Sequence, residues 1–298
     1  MGGIRELRAR IKSVGSIKQI TRAMEMVSTT KLRRFQDRAV ASRPYTEEIT
    51  SLMGHLTAVL GAEVEKRALF RPGAGEATAV LVVSSDRGLC GAYNTNVFRA
   101  LETWLDEEPA RRERTRFFVY GRKGFQYLSK RGYEIEHYIA EPPLEQIDYR
   151  GAVRATRFLT EAFLGGGYRD ARVVYTAFES LVRYVPTWID LLPISGERLT
   201  SQGERLTGEA RSGGDFILEP DAGTIFDALV PRYLETRIYN ALIESITSEY
   251  ASRRVAMKNA TDAAGDMQQA LKMTYNRKRQ ESITMDLLDI VGGTEAQR

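Results

Sequence analysis

The residues with the clearest chemical potential lie in a glycine-bearing turn that follows an apolar, strand-like run. The turn reads Ser85-Asp86-Arg87-Gly88-Leu89-Cys90-Gly91. Main-chain amides in such a turn, just before a helix begins, can bind a phosphate group. Its spacing matches neither the dinucleotide fingerprint GxGxxG nor the phosphate-loop pattern GxxxxGK[ST]. A tight strand-to-helix connection is therefore the favoured interpretation, and nucleotide binding is kept as the alternative.

The sequence offers few side chains for catalysis or metal binding. Cys90 is the only cysteine, which excludes an intrachain disulfide and supplies no metal-ligand cluster. Since no paired His or Asp is evident, Cys90 is interpreted as a small buried side chain and not as a nucleophile. The two histidines, His55 and His137, fall in different predicted elements. We expect no catalytic residue, no cofactor and no metal site.

Length and composition are those of an ordered protein with room for at least one sizeable core. The chain has 298 residues, of which 43% are hydrophobic and 28% charged. The net charge of +4 is mild and acidic residues are interspersed with basic ones, which weighs against a nucleic-acid partner. No run reaches the roughly 18 apolar residues of a membrane span, and no signal or transit peptide is recognised. We expect the chain to fold in the cytoplasm.

The N-terminal segment has the pattern of one long amphipathic helix. Its apolar residues recur in steps of three and four, which predicts a narrow seam for a partner helix. Three successive steps of three after Val14 predict a local stammer. Pro44 predicts a kink or break near Ser42 and Arg43. The seam residues are Ile4, Leu7, Ile11, Val14, Ile17, Ile20, Met24 and Val27, and then Ile49, Leu52, Leu56 and Val59.

The middle of the chain alternates between strand-like and helix-like runs, which is typical of βαβ units and a Rossmann-like α/β domain. Residues 195–214 are predicted to be an exposed loop, and residues 216–220 a short extended piece. We expect strands at residues 78–85, 116–120, 171–176 and 185–194, and helices at residues 94–107, 124–131 and 152–164.

From about residue 221 the helical pattern returns, with Pro231 as a kink or first-turn position. The helix is expected to end at the Gly292-Gly293 pair. Two long end helices bury their seams most simply on each other. The predicted domains are residues 1–70 and 220–298, which form an antiparallel coiled coil, and residues 76–219, the inserted α/β domain. The C-terminal seam residues are Leu242, Ile246, Tyr250, Met257, Ala264, Met267, Leu271 and Thr274.

Three clusters have two possible interpretations each. The basic run Lys31, Arg33, Arg34 and Arg38 either faces an acidic partner or is a solvated helix face. Met24 and Met26 are either adaptable contacts for a moving surface or ordinary seam residues. Residues 277–280 have the same ambiguity as the basic run. Spacing alone does not decide between them.

Several ordered motifs resemble those of one known family, the F-type ATP synthase γ subunit. Because they occur at both ends and in the middle of the chain, the resemblance covers essentially all of it. The motifs are residues 20–27 (ITRAMEMV), 31–34 (KLRR), 42–45 (SRPY), 85–95 (SDRGLCGAYNT), 255–262 (VAMKNATD) and 275–284 (YNRKRQESIT).

The resemblance implies a rotor shaft that catalyses nothing itself. The helical pair would stand inside the ring of α and β subunits, and the α/β domain would bind ε and rest on the c-subunit ring. Torque would pass between the c ring and the catalytic β subunits during proton-driven ATP synthesis or hydrolysis. It also implies that membrane contact occurs only through the c ring, at the cytoplasmic face of a bacterial plasma membrane.

The family's contact residues carry over to matching positions. Arg279, Gln280 and Thr284 match the C-terminal residues that hydrogen-bond to β. Met24 and the basic residues Lys31, Arg33 and Arg34 match the region facing the acidic lever segment of β. Phe216, Leu218 and Glu219 resemble the turn facing the c ring.

There are two departures from the family pattern, Arg254 for the usual Met and Ala264 for Asn. The dithiol pair of the redox-regulated chloroplast form is absent. Two other functions remain open from the residues alone. One is a nucleotide-handling enzyme built on the α/β domain, and the other is a passive coiled-coil scaffold.

Overall fold

A computed structural model describes residues 2–181, 183–207 and 219–295. The chain divides into two compact units. Unit 1 comprises Met1–Thr30 and Arg253–Arg298, and unit 2 comprises Lys31–Ser252. The helices are α1 (Gly2–Leu60), α2 (Tyr93–Asp106), α3 (Ala110–Arg114), α4 (Arg122–Lys130), α5 (Tyr149–Leu164), α6 (Gly196–Thr207) and α7 (Ala222–Glu295). The strands are β1 (Ala77–Val83), β2 (Thr115–Tyr120), β3 (Ile135–Ile139), β4 (Tyr168–Phe178) and β5 (Tyr184–Leu192).

Unit 1 is an antiparallel pair formed by the start of α1 and the end of α7. Lys18 lies against Gly265, and three residues further along α1 the Thr21 hydroxyl is 2.8 Å from that of Thr261. Residue numbers therefore rise on one helix as they fall on the other. The predicted pairing of the two end helices is confirmed within this unit.

The seam of α1 differs from the prediction after Val14. The buried and half-buried positions continue through Lys18, Thr21 and Ser28 in regular steps of three and four. The predicted stammer is wrong, because after Val14 the seam passes through Lys18 and Thr21 and not through Ile17 and Ile20. The apolar side chains left outside the seam are Ile17, Ile20 and Val27, which are 50–59% exposed.

The same correction applies to the last part of α7. Thr261, Ala264 and Gln268 lie on the inward side, whereas the predicted seam residues Met267 and Thr274 are exposed. Lys18, Thr21, Thr261 and Gln268 thus place four polar residues in the helix pair.

Both prolines in the end helices are accommodated inside helix. Pro44 lies within α1, so the predicted break at Ser42 and Arg43 is wrong. Pro231 lies within α7, nine residues after its start, and is not in its first turn. The same helix continues through Gly292 and Gly293 to Glu295, so the glycine pair does not end it as predicted.

Unit 2 is built on a five-stranded sheet in the order β3-β2-β1-β4-β5. The first four strands are parallel, and β5 pairs antiparallel with β4. β1 is the central strand and five of its seven residues are buried, as its continuous apolar run predicted. The predicted Rossmann-like arrangement of strands and helices is confirmed.

Three elements of unit 2 were not predicted, the first being the short helix α3. Residues 196–207, predicted to be exposed loop, form α6, and Leu199 on this helix is fully buried. The edge strand β3 was missed altogether. Residues 208–214 of the predicted loop lie outside the described residues, as do residues 216–218 of the predicted extended piece.

The core of unit 2 includes residues of both long helices. Leu32 and Phe35 of α1 and Leu242 and Tyr250 of α7 are buried with one face of the sheet. The rings of Phe35 and Tyr250 stack with centroids 5.6 Å apart. A second apolar cluster on the other face is closed by α2 and α4. In the described residues, no helix is long and apolar enough to span a membrane.

Candidate functional site

Hydrogen bonds from its own side chains hold the turn at residues 85–91, and the turn does not enclose an open anion-binding site. The Asp86 carboxylate accepts the main-chain N–H of Arg122 at 3.0 Å and that of Leu144 at 3.1 Å. The Ser85 hydroxyl donates to the Arg87 carbonyl at 2.8 Å. Asp86 therefore ties the turn to the start of α4 and to the segment after β3. A carboxylate in this place would also repel a phosphate.

Asn94, at the start of α2, closes the turn from the other side. Its side-chain oxygen accepts the Ser85 N–H at 3.0 Å, and its amide donates to Cys90 Sγ at 3.3 Å. Cys90 is buried, as predicted for a small packing residue. Its carbonyl accepts the Ser252 hydroxyl at 2.6 Å, and the hydroxyls of Tyr93 and Ser245 are 2.6 Å apart. The motif therefore connects the sheet to α7 through these hydrogen bonds.

The tip of this turn is exposed and strained. Leu89 has φ of 63°, a left-handed conformation that costs a non-glycine residue free energy, and 64% of its surface is exposed. An apolar side chain held outward at such cost is a feature of a contact surface.

Lys31 has an internal partner that the sequence did not indicate. The Glu145 carboxylate forms ion pairs with both Lys31 on α1 and Arg87 on the turn. The Lys31 ammonium also lies 5.6 Å from the ring centroid of Tyr250 on α7. Glu145 thus connects α1 to the turn, and Lys31 in turn contacts α7, all within unit 2. No sequence pattern points to this, because the residues are far apart along the chain.

The remaining basic residues divide into tethered and exposed ones. The Arg38 guanidinium donates to the Ile147 carbonyl at 2.6 Å and to the Tyr239 hydroxyl at 3.2 Å. Arg33 and Arg34 are exposed. Met24 is half-buried in unit 1. Of the predicted basic contact residues, Arg33 and Arg34 are the ones whose charged side chains are exposed.

Arg279, Gln280 and Thr284 lie together on an exposed part of α7. The Thr284 hydroxyl donates to the Gln280 carbonyl at 3.0 Å, one turn back on the same helix. From Ile283 onward the helix carries a run of exposed apolar side chains. These are Ile283, Met285, Leu287, Leu288 and Ile290, each 51–64% exposed.

The predicted contacts near Met24 and near Arg279 are at different levels of unit 1. Met26 lines a cleft with Lys258 and Thr261 of α7. Arg279 follows Lys258 by 21 residues on the same helix. At 1.5 Å per residue this is about 30 Å along the helix axis.

The third predicted contact lies around the start of α7. Phe216 and Leu218 lie outside the described residues, and Glu219 is exposed. The helix begins with a side-chain cap, in which the Asp221 carboxylate accepts the Thr224 N–H at 2.9 Å and its hydroxyl at 2.6 Å. These bonds lower the pKa of Asp221.

Glu244 is a half-buried acid that the sequence did not point to. Burial raises the pKa of Glu244 on α7, against the opposing effects of a hydrogen bond with Tyr175, the Phe178 amide and the charge of Arg43. Burial also raises the pKa of Tyr175, and the Glu244 carboxylate adds to that rise. Within the described residues, no group of three His, Cys, Asp or Glu side chains is placed to hold a metal ion.

Comparison with known proteins identifies the family. The family model described as "ATP synthase" matches residues 3–297. The ATP synthase gamma chain of Chloroherpeton thalassium is 36% identical over 305 aligned positions, covering 99% of this chain and 98% of that protein. The chain belongs to the ATP synthase γ-chain family. A further γ chain, from Mycobacterium tuberculosis strain H37Rv, is 39% identical and covers 98% of this chain and 97% of its own length.

Solved structures share the γ-chain fold at low identity. The rotor of the Euglena gracilis mitochondrial ATP synthase superposes with a TM-score of 0.65 at 20% identity, over 95% of this chain and 99% of that one. A central-stalk and c-ring structure from Tetrahymena thermophila gives 0.57 at 22% identity, over 81% and 99%. Long terminal helices around a mixed sheet are thus the γ-chain architecture, and the family resemblance predicted from the motifs is confirmed.

Proposed function

We propose that this chain is the rotor shaft of an ATP synthase, which transmits torque between a c-subunit ring and the catalytic β subunits. The chain itself catalyses nothing. Its partners are the α and β subunits, the ε subunit and the c ring, and it binds no cofactor and no nucleic acid. Membership of the γ-chain family supports this assignment.

The arrangement of side chains in unit 1 is the observation that carries the proposal. Lys18, Thr21 and Gln268 face the partner helix, while Ile17 and Ile20 face outward. A self-sufficient helical pair buries its apolar face and exposes its polar one. This pair places polar residues in its seam and apolar ones on its outer face, so it requires a partner that covers that face. A ring of subunits around the helices provides such a cover.

Two levels of contact with this ring follow from the exposed residues. At one level, Met24 with Lys31, Arg33 and Arg34 faces an acidic segment of β, and Arg33 and Arg34 supply most of the open charge. At the other, Arg279, Gln280 and Thr284 form directional hydrogen bonds with β. Such bonds form at one rotor angle and are lost at the next, so they couple the angle to the state of a site.

The apolar end of α7 acts as a bearing. Leu287, Leu288 and Ile290 are exposed and carry no hydrogen-bonding groups. Apolar contacts lack direction, so they persist while the surface turns. This contrasts with the polar contacts one to two turns earlier on the same helix.

The chain contacts the c ring through Phe216, Leu218 and Glu219, which precede α7 in the sequence, and the α/β domain binds ε. The chain is then a peripheral part of the complex and contacts the membrane only through the c ring. For a bacterial enzyme driven by protons this places it at the cytoplasmic face of the plasma membrane.

Co-purification tests the proposal. An affinity tag on this chain is expected to recover α, β and ε subunits and ATPase activity from detergent-solubilised membranes. Recovery of the chain alone, or with unrelated enzymes, would contradict it. The enzyme alternative is tested in parallel by titrating the isolated chain with ATP. The contacts of Asp86 and Asn94 within the turn predict no stoichiometric binding there.

A further inference from the structure

A cavity of about 280 Å³ opens in unit 2 at the sheet edge where the parallel strands begin. Thr78 at the start of β1 and Asp170 at the start of β4 line it, so it lies across the sheet from the turn at residues 85–91. Four arginines also line it, namely Arg111, Arg114, Arg169 and Arg172. Glu76 and Glu108 complete the lining, and none of the family motifs includes a residue of this cavity.

Three of the four guanidiniums retain donors for a ligand. Arg111 is fully engaged, since it donates to the Trp104 carbonyl at 2.7 Å and pairs with Glu107. With the described residues, Arg172 forms only long ion pairs, at 3.5 Å to Asp170 and 3.4 Å to Asp190.

The other two arginines are held more loosely still. Arg114 is 3.8 Å from Glu76. Arg169 is exposed, and no described residue forms a hydrogen bond or ion pair with its side chain. A guanidinium carries five N–H donors in a planar fork, which suits an oxyanion.

Two residues of the cavity lining each carry a buried polar atom that has no partner among the described residues. These are the indole Nε1 of Trp104, a side chain only 9% exposed, and Oδ1 of Asp170. An unpaired buried donor and an unpaired buried acceptor each cost free energy. The guanidiniums of Arg111 and Arg172 lie over the indole ring, at 4.9 and 5.7 Å from its centroid. Both unpaired atoms are closed off from solvent, so a ligand reaches them only when a neighbouring side chain moves. Arg172, which lies over the indole and has long ion pairs, is the side chain placed to do so.

The unpaired atoms determine which hydrogen-bonding groups a ligand must have. Trp104 and the arginines require acceptor oxygens, whereas Asp170 requires a donor. Sulfate and carboxylate ions supply acceptors only and would place charge against Asp170. Hydrogen phosphate supplies both, because it has several charged oxygens and one P–OH group. We propose that this cavity is a binding site for inorganic phosphate, in which Trp104 and Arg169 donate hydrogen bonds to its oxygens and Asp170 accepts a hydrogen bond from its P–OH group.

The indole N–H of Trp104 is a direct reporter of occupancy. The chain has two tryptophans, so ¹⁵N-tryptophan labelling of the full chain gives two indole signals, and Trp188→Phe identifies that of Trp104. Titration with inorganic phosphate at pH 8 and constant ionic strength is expected to shift the Trp104 signal in a saturable way. Sulfate, which has no proton to donate, is expected to bind at least about tenfold more weakly, since it leaves a buried carboxylate oxygen unpaired.

Three variants test the assignment of roles. Arg169→Gln removes an exposed guanidinium and is expected to weaken phosphate binding at least about tenfold, as expected for loss of a charged hydrogen bond. Arg157→Gln, which changes an exposed arginine on α5, is the matched control and is expected to leave binding unchanged. Asp170→Asn supplies an N–H donor in place of the carboxylate, so this variant is expected to bind sulfate about as well as phosphate.

Any of three results would overturn the proposal. They are the absence of a saturable Trp104 shift, equal shifts with phosphate and sulfate in the unaltered chain, and full binding by Arg169→Gln. Because the test uses the isolated chain, its outcome is independent of the rotor assignment.

Discussion

The hydroxyl of Thr261 on α7 lies 2.8 Å from that of Thr21 on α1, inside the seam of unit 1. Both side chains are buried, and Thr21 in turn donates to the Lys18 carbonyl at 3.1 Å. A hydrogen bond in this place fixes the register of the two helices more narrowly than apolar contacts would. It also makes the pairing depend on a few directional contacts.

The threonine pair predicts a non-additive effect on stability. Thr261→Val keeps the shape but removes the donor, so it is expected to lower the free energy of unfolding by about 1 kcal/mol. The double variant Thr21→Val, Thr261→Val leaves neither hydroxyl unpaired and is expected to recover most of this loss. Urea unfolding of the four proteins in a double-mutant cycle measures the coupling. Simple addition of the two single effects would show that the hydroxyls do not interact.

The Glu145 carboxylate predicts a salt-dependent contribution to the stability of unit 2. Glu145→Gln weakens the ion pairs with Lys31 and Arg87 and is expected to cost about 0.5–1 kcal/mol at low salt, since these groups are partly exposed. The difference is expected to shrink in 1 M NaCl. Glu63→Gln, which breaks an exposed pair with Lys66, is the control and is expected to have a smaller effect. Equal losses in both variants would argue against a special role for Glu145.

The raised pKa of Glu244 predicts that its contribution to the free energy of unfolding falls as the pH rises. Its pKa in the folded chain lies above the ordinary 4.5, so the folded state holds the proton more tightly than the unfolded state. The resulting stabilisation is complete below pH 4.5 and is lost as the pH rises through the folded pKa. Glu244→Gln, which stays neutral, is therefore expected to raise stability at pH 8 more than at pH 4. Thermal unfolding at the two pH values measures this, and an equal effect at both would contradict the assignment.

Replacement of Arg279 and Gln280 is expected to impair the coupling of rotation to ATP turnover and to leave assembly of the complex intact. Replacing both by Ala removes exposed side chains, so folding and complex formation are expected to survive. ATP turnover of the reconstituted complex is expected to fall at least about fivefold, on the order of 1 kcal/mol of lost hydrogen bonding. The matched control is the pair Gln269→Ala and Lys272→Ala, which also removes one amide and one cation from an exposed face of α7. Unchanged turnover in the first variant would refute its role.

The sequence predicted the fold best where a single physical effect determined the local structure. The apolar run of β1 and the turn after it were located correctly, because a buried parallel strand leaves a plain signal. The two end helices were equally clear from their periodicity. The family motifs then indicated the function, which helical periodicity alone does not predict.

The errors arose where tertiary contacts overrode local preference. Ile17 and Ile20 were placed in the seam on hydrophobicity, but the heptad spacing leads through Lys18 and Thr21 instead. Pro44 does not break α1, since packing of Phe35 and Ile49 on either side holds the helix together. The edge strand β3 is mostly half-buried and therefore lacked a strong apolar pattern.

Direct observation of rotation tests the central claim. Cys90 is buried, so a cysteine introduced by Arg157→Cys on the exposed face of α5 can be labelled selectively with a bead. With the chain assembled into an immobilised complex of its α and β subunits, ATP is expected to drive the bead in one direction, and removal of ATP to stop it. Steady ATP hydrolysis by complexes whose beads show only random motion would contradict the rotor assignment.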